Sequence, residues 1–380
     1  MYLDHAAATP MDNLVLQDMQ PYFSDLFFNP SSPYAPGVKI KQDYREAKSR
    51  IARSLGVMGD ELIMTAGATE SINLAFGAAK GGKCLVSAIE HAAVINAAEK
   101  NGEVIYIQPT RKGHVAAESV RNALNSEVTF VSIALANHEV GSVQPIEEIA
   151  SVIQAERDRR RESGEKNTLL FHTDASQAAA LIDIKIKRLG VDLLTLSAAK
   201  VYGPKQVGLL WVRPGVRLTP NIVGGGQENG IRSGTENVAG VIGFATAIEL
   251  AAHRRGGEIK RLRELRGFLL DNLTQAFPEM IVSTDMKKSL VNYLNVSFPG
   301  VDAERLIFRL ESQNVFVATG SACAANLGTR SHVLEAIGLN ESEIDGSLRL
   351  TLGRLNSRES ITKASELITE AVRAEQERTK

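Results

Sequence analysis

The chain has 380 residues, 44% of them hydrophobic, and a formal net charge of −1. Such a length supports a large core and two domains, and the near-neutral balance gives no basic footprint for nucleic acid. No apolar run is long enough to span a membrane, and the start, "MYLDHAAATP", lacks a secretion signal, so a cytoplasmic protein is expected.

Short apolar runs recur along the first two thirds of the chain. The predicted strands are "ELIMT" (61–65), "CLVSA" (84–88), "VIYIQ" (104–108), "TFVSIALA" (129–136), "TLLFHT" (168–173), "DLLTLS" (192–197) and "GLLWV" (208–212). Helical stretches separate them, such as "PIEEIASVIQAERDRRRESG", with a proline at its start and a glycine at its end. Near-continuous apolar strands alternating with helices indicate an α/β fold, a mainly parallel seven-stranded sheet with helices on both faces. From about residue 256 the texture changes to charged amphipathic helices, and "SLVNYLNVSF" reads as a half-buried strand. The expected division is therefore a large domain over 14–255 and a smaller α+β domain from 1–13 and 256–380. No internal repeat, low-complexity linker or metal-spaced Cys/His cluster is present, so no metal is expected. The two cysteines, Cys84 and Cys323, lie far apart, which argues against a disulfide framework and for a reducing compartment.

In open α/β sheets ligands sit beyond the carboxyl ends of the strands. After "LIMT" comes Ala66-Gly67-Ala68-Thr69-Glu70-Ser71, a small-residue loop opening a helix, suited to a phosphate. The later strand ends carry Glu90-His91, Asn137-His138-Glu139, Asp174 with Gln177, and Ser197 with Lys200. Singly, each has a bland reading: a solvated lysine, a capping aspartate, a buried histidine, ordinary first-turn residues. Together, a phosphate loop, an aspartate, a flat imidazole and a strand-end lysine form the set that pyridoxal phosphate requires.

At this point the sequence resembles the class V aminotransferase-like enzymes of pyridoxal phosphate, and within them the cysteine desulfurases. The resemblance covers essentially the whole chain, through "YLDHAAATP", "NPSSPYAPG", "TAGATESINLA", "EHAAV", "ANHEVGSVQPI", "FHTDASQAA", "SAAKVYGPKQVG", "GGGQENGIRSGTENVAG", "GSACAANLGTRSHVLEAIG" and "LRLTLGR". It implies the fold type I architecture of these transferases and a set of roles. Lys200 would bind the cofactor covalently and then move the Cα proton. Asp174 would pair with the ring nitrogen, Gln177 with the phenolic oxygen, and His91 would stack on the ring. Ala68, Thr69 and Ser197 would cradle the phosphate, and Thr235 would reach the phosphate of a partner subunit, making a homodimer part of the site. Arg349 would clamp the substrate carboxylate, with Asn29, Asn137 and His138 near the substrate. Cys323, in a small and polar segment that reads as a surface loop, would take sulfur from L-cysteine as a persulfide and pass it to an acceptor protein, an iron–sulfur scaffold or a sulfur carrier. His91 is the nearest implied acceptor for the Cys323 proton. Cys84, inside a strand, reads as a small hydrophobe.

Four positions depart from the family pattern. Ala199 stands where a phosphate-binding histidine usually precedes the lysine, and His138 stands where asparagine is usual. Tyr34 replaces a histidine and Gln206 a glycine. These changes put cofactor affinity and substrate fit in question while leaving Lys200, Asp174 and Cys323 in place. A selenocysteine lyase, another class V enzyme, or a non-catalytic scaffold that docks sulfur carriers are the alternative readings.

Overall fold

The computed structural model describes residues 1–79, 81–320 and 330–378. Among these residues the first seven strands form one sheet: β1 (Leu62–Thr65), β2 (Lys83–Ser87), β3 (Val104–Ile107), β4 (Val128–Ser132), β5 (Leu170–Asp174), β6 (Leu193–Ser197) and β7 (Gly208–Val212). Their order is β1-β7-β6-β5-β4-β2-β3, and β7 alone runs antiparallel to its neighbours. All seven strands were predicted, with β4 ending earlier than its apolar run.

The strands are apolar throughout because both faces are covered. Successive residues alternate between two cores: Leu85, Val131, Leu194 and Leu209 pack on one face, and Cys84, Phe130, Leu193 and Leu210 on the other. Cys84 is fully buried, and burial pushes its thiol up to about 11, so it is an inert packing group.

A second, three-stranded antiparallel sheet is built from β8 (Ile281–Val282), β9 (Tyr293–Ser297) and β10 (Ser347–Thr351), in the order β10-β9-β8. The expectation of a half-buried β9 is corrected: all its residues are buried. Leu294 and Val296 enter the second core, while Tyr293 packs on Gly141 so closely that a Cβ there would lie 2.5 Å away. The N-terminus runs alongside this sheet through bridges from Tyr2 to Phe316 and Asp4 to Thr351.

The two cores are joined by one helix, Val238–Ala276, of 39 residues. Its first half (Val241, Phe244, Ile248) packs under the large sheet, and its second half (Leu262, Leu265, Leu269) under the small one. The boundary expected at 255/256 thus falls inside a continuous helix. No helix among the described residues is long and apolar enough to cross a membrane.

Candidate active site

The carboxyl ends of the parallel strands open into a cavity of about 600 Å³. It is lined by Ala68, Thr69, His91, His138, Asp174, Gln177, Ser197, Ala199, Lys200, Gln206 and Arg349, among others. Residues from all parts of the sequence therefore converge where the strand topology places a ligand.

Lys200 owes its position to the turn after β6. The chain leaves Ser197 through a short 3-10 turn, Ala198–Lys200, anchored when Ala198 N–H donates to the Val207 carbonyl at 3.0 Å. Thr9 holds the turn from the N-terminal segment, its hydroxyl donating to the Ala199 carbonyl at 2.9 Å and accepting from Tyr202 N–H at 2.8 Å. Lys200 Nζ donates to the Ala6 and Ala7 carbonyls at 2.7 and 2.6 Å.

Asp174 ends β5, with Oδ1 accepting from Ser176 N–H at 2.9 Å. Burial raises its pKa above the ordinary carboxylate value, against the opposing Ser176 contacts and the charge of Lys200. The carboxyl group is thus poised to gain from a cationic partner. Beside it, Gln177 is fixed from both sides: Nε2 donates to Ala6 O at 3.1 Å, and Oε1 accepts from Tyr293 Oη at 2.7 Å. A second N–H of the Gln177 amide remains for a ligand.

His91 caps the helix Ala92–Asn101, its Nδ1 accepting from Ala93 N–H at 3.1 Å. Burial, helped by the nearby His138 and Lys200, lowers its pKa to about 3. The ring is therefore neutral, with its proton on Nε2 and its Nδ1 lone pair taken. This arrangement suits a flat stacking surface. It argues against His91 as the acceptor of the Cys323 proton, because no ring nitrogen is left to accept. Cys323 itself lies outside the described residues.

A second neutral histidine serves the sheet instead of the cavity. His172, fully buried in β5, bonds Ser132 Oγ at 2.8 Å and Thr195 Oγ1 at 2.9 Å, and burial lowers it to about 3 as well. Both its nitrogens are spent inside the sheet.

Arg349, on β10, is 2% exposed and enters the cavity wall. One arm donates to Asp4 Oδ1 at 2.7 Å and the other to His138 O at 3.1 Å, while Nε is buried with no partner among the described residues. His138 lies edge-on to His91, with ring centroids 5.1 Å apart, and its Nε2 is 3.6 Å from Glu139. Glu139 is held below its ordinary pKa, burial notwithstanding, by His138, Ser331 and Arg349.

The loop after β1 needs two glycines. Gly67 has φ +144°, closed to side chains, and a Cβ on Gly208 would lie 2.6 Å from the Gly67 carbonyl carbon. This close approach of β7 to the loop puts the first-turn N–H groups of the helix Ala68–Phe76 at the cavity rim.

Three expected residues lie elsewhere. Asn137 is buried and committed to the backbone: its amide donates to Ile89 O and accepts from Glu139 and Val140 N–H, each at 2.8 Å. Asn29 is exposed and bonds Ser31 N–H at 2.8 Å. Thr235 lines an adjoining cavity of about 190 Å³ that meets the first at Ala66 and Gln206. Sequence reasoning missed Asp4 and Tyr293, which orient Arg349 and Gln177. Asp4 was visible inside "YLDHAAATP", but nothing local tied it to an arginine 345 residues away.

A model of the family described as aminotransferase class-V matches residues 1–363. Cysteine desulfurase IscS 1 of Archaeoglobus fulgidus is 38% identical over 377 residues, covering 97% of this chain and 95% of that protein. A solved NifS-like protein is 31% identical, with a TM-score of 0.89 over 98% of this chain and 99% of its own. SspA, solved in complex with cysteine, is 34% identical, with a TM-score of 0.78 over 92% of this chain and 98% of its own. With that extent of match, laid over a sheet and cavity of the expected design, the chain belongs to the class V aminotransferase family.

Proposed function

We propose that the protein is a cysteine desulfurase that converts L-cysteine to L-alanine, takes the sulfur onto Cys323 as a persulfide, and passes it to an acceptor protein. The observation that carries this reading is the convergence of Lys200, Asp174 and Arg349 on one cavity. Its relatives support it: one is named a cysteine desulfurase, and another was solved with cysteine.

The donor set fits pyridoxal phosphate. Backbone N–H groups at the start of a helix and Ser197 suit the phosphate, the Asp174 carboxyl suits a ring N–H, and the His91 face suits the ring. Held through Lys200, pyridoxal phosphate supplies an electron sink for the pair left when the substrate Cα loses its proton.

The protein's own groups do the rest. Arg349 offers the remaining N–H of each arm to the substrate carboxylate. Asp4 and the His138 carbonyl fix the guanidinium in place. Lys200 Nζ, as a neutral amine, would take the Cα proton. The Cys323 thiolate then attacks the substrate sulfur: an S–S bond forms, the substrate C–S bond breaks, and its electron pair stays with the carbon fragment, which is protonated and leaves as alanine. A homodimer, with Thr235 serving the partner's phosphate, and a cytoplasmic location that keeps Cys323 reduced complete the proposal.

The test is L-cysteine turnover with a thiol reductant present. Alanine and sulfide should form in equal amounts, and Cys323→Ser should keep cofactor absorbance yet stop both products. Alanine release by Cys323→Ser at the unmutated rate would contradict the proposal.

A further inference from the structure

We infer that Gln206 donates to the phosphate end of the cofactor and fills the role that Ala199 cannot. This rests on the reading of the cavity as a pyridoxal phosphate site.

The hairpin between β6 and β7 carries the argument. Ser197 pairs with Gly208, and Ala198 N–H bonds Val207 O, so Ala199 and Gln206 are the next residues out on the two arms. Both line the cavity, beside Gly67, Ala68 and Ser197. Ala199 brings only a methyl group. Gln206 brings two amide N–H donors, and neither it nor its neighbour Lys205 has a hydrogen bond or ion pair within the described chain. Gln206 also borders the adjoining cavity at Ala66, which places it over the phosphate loop.

Two further observations single it out. Its φ is +59°, a region that favours glycine, so the turn itself has no need of glutamine. The acidic group on the same rim, Glu70, is already engaged: Arg232 Nε donates to it at 2.8 Å and Ala66 N–H at 2.7 Å. An anion there meets the Gln206 amide and the Lys205 ammonium instead of an unpaired carboxylate. His138, the other added polar group, is badly placed for this role. It follows β4, two strands from β6, and two strand spacings set those strands about 10 Å apart. Its ring neighbours are His91 and Glu139.

The test compares ligands with and without the phosphate. Protein stripped with a carbonyl trap is titrated by absorbance with pyridoxal phosphate and with pyridoxal, with inorganic phosphate as a competitor. Gln206→Gly, which suits the backbone, should weaken pyridoxal phosphate about tenfold, the value of one hydrogen bond to a charged group, and leave pyridoxal unchanged. Inorganic phosphate should compete less well in that variant, and Ala199→His added to it should restore affinity. Unchanged binding, or equal losses for both ligands, would overturn the inference, as would a selective loss in His138→Asn instead. If the unmutated protein took up neither ligand, the reading of the cavity would fall with it.

Discussion

The two ends of the cavity hold their polar groups in different ways. At the β4–β5 end three groups have internal partners: Gln177 rests on Ala6 and Tyr293, Arg349 on Asp4 and the His138 carbonyl, and His91 on Ala93. At the β6–β7 end, Ala199 has no polar side chain, and Lys205 and Gln206 have no partner in the described chain. The first end is organised by contacts within the chain; at the second, Lys200 is held in the same way by Ala6 and Ala7, and the side chains of Lys205 and Gln206 are not. Two of the four departures from the family pattern, Ala199 and Gln206, sit at the second end; His138, at the tied end, supplies the network with its backbone carbonyl, which any residue would provide.

Breaking the tied end should therefore cost most. Asp174→Asn keeps the shape and removes the charge that a ring N–H needs, so kcat should fall on the order of 10²-fold or more, with cofactor still bound. A fall of less than about threefold in steady-state alanine formation would show that Asp174 does not face the ring nitrogen. Arg349→Lys keeps the cation and loses the fork. KM for L-cysteine should rise about tenfold or more, with kcat less affected, since one buried charged contact is worth that much. An unchanged KM would place the carboxylate elsewhere. The third effect is on stability and leaves the chemical step aside. Glu90, behind His91, is buried, and its pKa is raised to about 8 by burial and by the nearby Asp174, although Ala134 N–H works against this. The folded state thus keeps a proton that the unfolded chain loses above its ordinary value of 4.5. Stability should fall as pH rises from that value to about 8, by up to about 1.4 kcal/mol per unit, and then level off. Glu90→Gln should flatten this slope in thermal unfolding; an unchanged slope would assign it to another group.

Much of the fold was legible because the sheet is buried on both faces, and unbroken apolar runs survive no other way. The long helix Val238–Ala276 was not legible as one element. Gly256 and Gly257 sit in its middle at the change of texture, and the helix continues because each half is held by its own core. At the site, the chemistry-bearing residues could be read from strand ends, where topology alone brings them together. Their supports could not: Asp4 with Arg349 and Tyr293 with Gln177 are contacts between distant segments. The resemblance placed Asn137 near the substrate, whereas its side chain is buried and bonded to the local backbone through Oδ1 and one N–H. The left-handed φ of Gln206 is likewise invisible in its letter.

Lys200 is the residue on which the functional reading turns, and a chemical label reports on it directly. Protein loaded with pyridoxal phosphate is reduced with borohydride, digested and mapped by mass spectrometry. The pyridoxyl group should be found on the peptide holding Lys200, and it should disappear when excess L-cysteine is added just before reduction. A label on Lys205 or another lysine, or a Lys200 label indifferent to L-cysteine, would contradict the assignment of this cavity as the site of cysteine desulfuration.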